Sequence, residues 1–171
     1  MRINTLSRMA RALIVGCGCR GQALARALRE DGHQVRGTTR SGNRLQSIED
    51  AGAEAVVADP YRLATLTPLL EGVSVVVWPM GSATGTGDEV EAMHTTRLET
   101  LLTKLVDSGV RGLVYEATGT VPGDMLRAGA AQVRKSGEWF RMPVEVVEHD
   151  PADHDGWTEA MTAAVGRILD A

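Results

Sequence analysis

The chain has 171 residues, 43% of them hydrophobic and 23% charged, with a formal net charge of −4. One soluble domain spanning residues 1–171 fits these values. The acidic balance argues against nucleic acid as a partner, and no apolar run reaches membrane-spanning length. Aromatic residues make up only 4%, so Ala, Val and Leu must fill the core. Met1 to Arg11 lacks the apolar centre of a signal peptide, so the expected location is cytoplasmic. Residues 1–9 are expected to form a loose N-terminal arm.

Ala12 to Val15 is a short apolar run suited to a buried strand. Gly16, Gly18 and Gly21 follow in G-x-G-x-x-G spacing. A helix pattern comes next, with Leu24 and Leu28 on one face, and Gly32 is placed to end it. Gln34 to Thr39 reads as a second strand. The three glycines have separate tasks. Gly16 turns the chain sharply, Gly18 lets a pyrophosphate approach the backbone, and Gly21 brings the helix close to the strand. The helix start also offers free N–H groups and a positive dipole end to an anion. Strand, loop and helix together predict dinucleotide binding. The second strand ends in Thr38, Thr39 and Arg40, with no acid to hold a ribose 2′-hydroxyl. An arginine there suits a 2′-phosphate, which favours NADP, with NAD as the alternative.

The alternation continues down the chain. Asn43 to Ala51 predicts a short helix, Glu54 to Ala58 a third strand, Leu63 to Leu70 another short helix and Val73 to Trp78 a fourth strand. Pro79 to Asp88 is a loop. Glu89 to Ser108 carries an apolar stripe of Met93, Leu98, Leu101, Leu102 and Leu105, predicting one long helix. Gly112 to Glu116 is a fifth strand with Tyr115 inside it. Met125 to Phe140 reads as a helix, Val144 to Val147 as a sixth strand and Trp157 to Leu169 as a closing helix. Strands alternating with helices imply an α/β fold. It is a doubly wound, mostly parallel six-stranded Rossmann sheet with helices on both faces, in the order 3-2-1-4-5-6. Ligands bind such sheets at the C-terminal ends of the strands. That rim collects Gly16 to Gly21, Arg40, Asp59, the Pro79–Met80–Gly81 stretch and the loop after Glu116. Asp59 is a candidate acceptor for an adenine amino group. Pro79, Met80 and Gly81 are candidates to lie along the second ribose.

The stretch from Leu13 to Leu28, with Gly32 to Ser41, Ala58-Asp59, Gly72 to Val77 and Val110 to Tyr115, resembles the atypical short-chain dehydrogenase/reductase family. That family comprises NAD(P)-binding proteins, with sugar-nucleotide epimerase-like and NmrA-like members. The resemblance spans about residues 11 to 120. It implies cofactor contacts at Gly16, Gly18, Cys19, Arg20, Gly21, Arg40 and Asp59. Enzymes of the family use a Tyr-x-x-x-Lys pair after the fifth strand and a hydroxyl at that strand's end. Here Thr118 or Thr120 can stand for the hydroxyl and Lys135 for the lysine, but Ala131 occupies the tyrosine position. Neither Tyr61 nor Tyr115 completes a pair, and a substrate-binding extension after the sixth strand is expected to be missing. The expected function is therefore a cofactor-binding or redox-sensing module. The alternative is a small oxidoreductase or epimerase-like enzyme with a non-standard proton donor.

Three further readings complete the sequence. Cys17 and Cys19 lie too close to form an ordinary disulfide, and a thiol at a helix start can be acidic. His149, Asp150, Asp153, His154 and Asp155 have ligand chemistry but also describe a solvated helix cap, so no metal is expected. His33 and His94 read as surface residues. Met93, Leu101, Met125 and Trp139 are the expected apolar patch of a homodimer.

Overall fold

In the computed structural model, which describes residues 9–171, six strands form one sheet. They are β1 (Arg11–Ile14), β2 (Gln34–Thr39), β3 (Glu54–Val57), β4 (Val75–Trp78), β5 (Gly112–Glu116) and β6 (Val144–Val147). Their order is β3-β2-β1-β4-β5-β6 and every pairing is parallel. The helices are α1 (Cys19–Glu30), α2 (Leu45–Asp50), α3 (Gly87–His94), α4 (Thr96–Val106), α5 (Gly123–Phe140) and α6 (His154–Asp170). The expected arm at residues 1–9 lies outside the described residues except for Met9, which is exposed.

The central strands read as unbroken apolar runs because helices cover both faces. Leu13, Val76, Trp78, Leu113 and Tyr115 pack with Met93, Leu98, Leu101, Leu105 and Val133 on one side. Ala12, Ile14, Val75, Val77 and Val114 pack with Leu24, Leu28, Ile48, Trp157, Met161 and Val165 on the other. The period of two along each strand sends successive residues to opposite faces. Three of the few aromatics, Trp78, Tyr115 and Trp157, are fully buried.

Two expected elements differ. The helix expected over 63–70 is a pair of 3-10 turns, Leu63–Thr65 and Thr67–Leu70. Pro68 at the start of the second turn has no N–H to continue a helix from the first. The single helix expected over 89–108 starts earlier, at Gly87 behind a Thr86–Glu89 capping box, and is broken at Thr95 (φ −129°, ψ −98°). The break turns His94 into the core, where it is fully buried and not at the surface. Its Nε2 is 2.9 Å from the Met80 carbonyl and its Nδ1 is 2.6 Å from the Tyr115 hydroxyl. A carbonyl only accepts, so Nε2–H donates to Met80 and Nδ1 accepts from Tyr115. Trp78 completes the joint by donating its indole N–H to the Met93 carbonyl at 3.0 Å.

The expected dimer patch also changes. Met93 and Leu101 face the sheet and are buried, whereas Trp139 is 80% exposed and Val106 on α4 is 46% exposed. The apolar stripe on α4 is the core face of the helix, not an outer one.

Candidate functional site

The glycine turn is fastened to β2 before it reaches α1. Thr38, itself fully buried, accepts the Gly16 N–H on Oγ1 at 2.9 Å, and its carbonyl accepts the Cys17 N–H at 2.7 Å. Gly16 has φ +79°, a conformation only glycine adopts readily. A Cβ on Gly21 would sit 3.3 Å from Ile14 and Cys17, so its role is close packing of α1 on β1. The first bond of α1 runs from Gln22 to the Gly18 carbonyl. The N–H groups of Cys19, Arg20 and Gly21 precede it, and no side chain caps the helix start.

That helix start opens into a cleft of about 470 Å³. Its lining comes from the loops after four strands: Gly16, Gly18 and Arg20 after β1, Thr39, Arg40 and Arg44 after β2, Ala58 and Pro60 after β3, and the wall of Pro79, Met80 and Ser82 after β4. The ordinary φ of Gly18 (−80°) does not demand glycine. A Cβ there would meet only the Arg44 guanidinium, at 3.9 Å, and would otherwise stand in the open cleft. The missing side chain is thus space left above an uncapped helix start, which fits a pyrophosphate. Arg40 and Arg44 flank a turn at Gly42–Arg44 whose cap is the Ser41 hydroxyl. Both guanidinium groups are exposed, and among the described residues no carboxylate pairs with either.

Several expected site residues take different positions. Asp59 does not line the cleft and accepts the Tyr61 N–H on Oδ1 at 3.0 Å; its neighbours Ala58 and Pro60 line it instead. Gly81 is buried against the Thr118 carbonyl, and any Cβ there would collide with it. Cys19 lines a second cavity of about 700 Å³, together with Arg20, Ser82, Thr118, Glu148 and His154. Arg20 and Ser82 border both spaces. Cys17 is buried and desolvation pushes its thiol up to about 12, so of the two cysteines only Cys19 is exposed.

The catalytic candidates fare worse. Lys135 is exposed on α5, whose inward face is Leu126, Gly129, Ala130, Val133 and Gly137. It is also three turns into α5, roughly 18 Å from the helix's rim end at 1.5 Å per residue. Thr118 does line the second cavity, but its hydroxyl donates to the His149 carbonyl at 2.8 Å. Tyr115 is fully buried with its hydroxyl on His94, and burial, with the Glu116 charge, raises its pKa far above the phenol range. The cluster after β6 is a helix cap. Asp153 accepts the Gly156 N–H and pairs with His149 at 2.8 Å, and both contacts lower its pKa. Among the described residues no three His, Cys, Asp or Glu side chains gather to hold a metal.

Glu116, at the end of β5, is the residue that sequence reasoning missed. Its side chain is fully buried. Oε1 accepts the Gly81 N–H at 2.8 Å, and Oε2 accepts from Arg20 and from the Trp157 indole, both at 2.6 Å. One carboxylate therefore joins α1, the wall of the cleft and α6. The sole sequence signal was an acid closing an otherwise apolar strand.

The model of a family described as NAD(P)H-binding matches residues 16–141. The chain belongs to the NAD(P)H-binding family. No curated protein matches the sequence. Among solved structures, BdcA (YjgI) from E. coli superposes with a TM-score of 0.70 at 16% identity, over 90% of this chain and 88% of that one. A putative NAD-dependent epimerase/dehydratase from Bacillus halodurans gives 0.66 at 19% identity, over 82% and 70%. UDP-glucuronic acid 4-epimerase from Bacillus cereus, in complex with NAD, gives 0.62 at 16% identity; the match covers 82% of this chain and 56% of the epimerase. These likenesses establish the Rossmann fold of this NAD(P)H-binding chain. Among the described residues no helix is long and apolar enough to cross a membrane.

Proposed function

We propose that this chain binds NADP(H) in the cleft above Gly18 and acts as a cofactor-binding or redox-sensing module. The observation that carries the reading is the uncapped start of α1 facing open space at Gly18, in a cleft that Arg40 and Arg44 also line. The first-turn N–H groups of α1 would hold the pyrophosphate. Arg40 and Arg44 would hold a 2′-phosphate, Pro79 and Met80 would lie along the second ribose, and the adjoining cavity has room for the nicotinamide half. The dinucleotide supplies hydride transfer when bound; the chain's own residues supply binding and orientation. None of Tyr115, Thr118 and Lys135 offers a free proton donor there, which favours a module over an enzyme. The α4–α5 side, with Trp139 and Val106 exposed, is the face expected to pair with a second copy.

A small oxidoreductase with a non-standard donor is the second reading. The second cavity favours it, because the Cys19 thiol and His154 line a space next to the cleft. The cofactor choice is tested by calorimetry with NADP and NAD. One charge-assisted phosphate contact is worth about 1.5–3 kcal/mol, so NADP should bind at least about tenfold more tightly, and Arg40→Asp should reverse the order. Equal affinities in the wild type would overturn the NADP assignment.

A further inference from the structure

Arg20 is the second residue of α1, and its side chain leaves the helix start for the border between the two cavities. Two contacts fix it, and a third braces its partner. One Nη donates to the buried Glu116 carboxylate at 2.6 Å, the guanidinium lies 5.0 Å from the centre of the Trp157 ring, and Glu116 is itself held by the Trp157 indole N–H. The side chain remains 26% accessible. A guanidinium carries five N–H donors in a rigid plane, and the structure gives Arg20 a single acceptor. The other donors stay available on a group that cannot swing away without leaving Glu116 buried and short of a partner.

From this placement we infer that the Arg20 side chain recognises the nicotinamide-side phosphate and ribose of the bound dinucleotide. Glu116 and Trp157 are positioning residues that hold it there. The inference rests on the dinucleotide reading above; the resemblance already implies a cofactor contact at position 20, and what is added is that the side chain makes it, on the nicotinamide half, held by Glu116 and Trp157. A backbone-only site would need no arginine at this position, since the first-turn N–H groups alone receive the pyrophosphate. Gly81 belongs to the same unit. Its N–H is held by the other Glu116 oxygen, so one carboxylate holds both the arginine and the Met80–Ser82 stretch whose two ends line the cleft. The indole adds what a lysine at position 20 could not use: a planar face matched to a planar cation.

Two probes separate this role from general upkeep of the fold. NADP⁺ carries both halves of the ligand; 2′,5′-ADP carries the adenosine half with its 2′- and 5′-phosphates and lacks the nicotinamide-side phosphate and ribose. Calorimetry with both is run on the wild type, Arg20→Met, Arg20→Lys and Glu116→Gln. The double variant Arg20→Met/Glu116→Gln is included because it removes both charges and leaves none buried alone. Loss of a charge-assisted contact should weaken NADP⁺ by roughly tenfold or more in Arg20→Met and in the double variant. The same variants should change 2′,5′-ADP binding by no more than about twofold. Arg20→Lys should recover only part of the loss, and Glu116→Gln should fall between. Equal weakening of both probes would show a merely structural arginine and overturn the inference, as would unchanged NADP⁺ affinity. A wild-type protein that binds neither probe would overturn the dinucleotide reading itself, and this inference with it.

Discussion

Replacing His94 with phenylalanine tests the buried bridge between the sheet and the wall of the cleft. In the folded protein the ring is neutral, with Nε2–H on the Met80 carbonyl and Nδ1 accepting from Tyr115. Burial lowers its pKa below the ordinary 6.5, outweighing the opposite effect of the Met80 bond. The unfolded chain takes up a proton near its ordinary value and the folded chain resists it. Below that value the folded state therefore binds fewer protons. The resulting stability is present above the unfolded pKa and is lost as pH falls toward the folded one. One proton sets a limiting slope of about 1.4 kcal/mol per pH unit. Phenylalanine removes that proton but leaves the Tyr115 hydroxyl and the Met80 carbonyl unpaired, at about 1–3 kcal/mol each. Against a typical total of about 5–15 kcal/mol the variant should still fold at neutral pH. Urea denaturation followed by circular dichroism between about pH 5 and pH 8 measures both effects. The variant should be less stable at the upper end and lose stability less steeply in acid, so that the two curves converge. Parallel curves would refute the assignment of a buried neutral imidazole.

Thiol labelling of the native protein should modify one cysteine, Cys19, because Cys17 is buried and its thiol stays protonated; mass spectrometry should find Cys17 labelled only after denaturation. NADPH oxidation with simple aldehydes, ketones and quinones should be hard to detect, since general acid help is worth about a hundredfold to ten-thousandfold and the Thr118 hydroxyl is already donated to His149. Robust turnover that survives Thr118→Val and Cys19→Ala together would contradict that account of the chemistry.

The frame of the fold was legible because it rests on local rules. The glycine spacing marked the turn into α1, and the stretches read as strands at 34–39, 112–116 and 144–147 coincide with β2, β5 and β6. What could not be read depends on distant contacts. Met93 and Leu98 lie five residues apart, about 140° around a regular helix, so the stripe of Leu98, Leu101, Leu102 and Leu105 belongs to α4 alone; that the step marks a break shows only where Met80 and Tyr115 meet His94. Glu116 finds Gly81, Trp157 and Arg20 at separations of 35, 41 and 96 residues. Arg44 falls inside the short helix expected over 43–51; the tight turn at Gly42–Arg44, which no local pattern marks, brings its guanidinium over Gly18. Lys135 was chosen by spacing along the chain, and helix geometry then carried it away from the rim.

The central claim is that the space over Gly18 is held for a dinucleotide. Gly18→Val tests it with little disturbance of the fold, because the backbone there is ordinary for any residue and the nearest atom to a Cβ is 3.9 Å away. Calorimetry with NADP, paired with a thermal melt of each protein, is the deciding measurement. The valine variant should melt with the wild type and lose NADP affinity by at least about tenfold, the loss expected when a charge-assisted contact is blocked. A variant that melts normally and binds NADP as tightly as the wild type would contradict the claim.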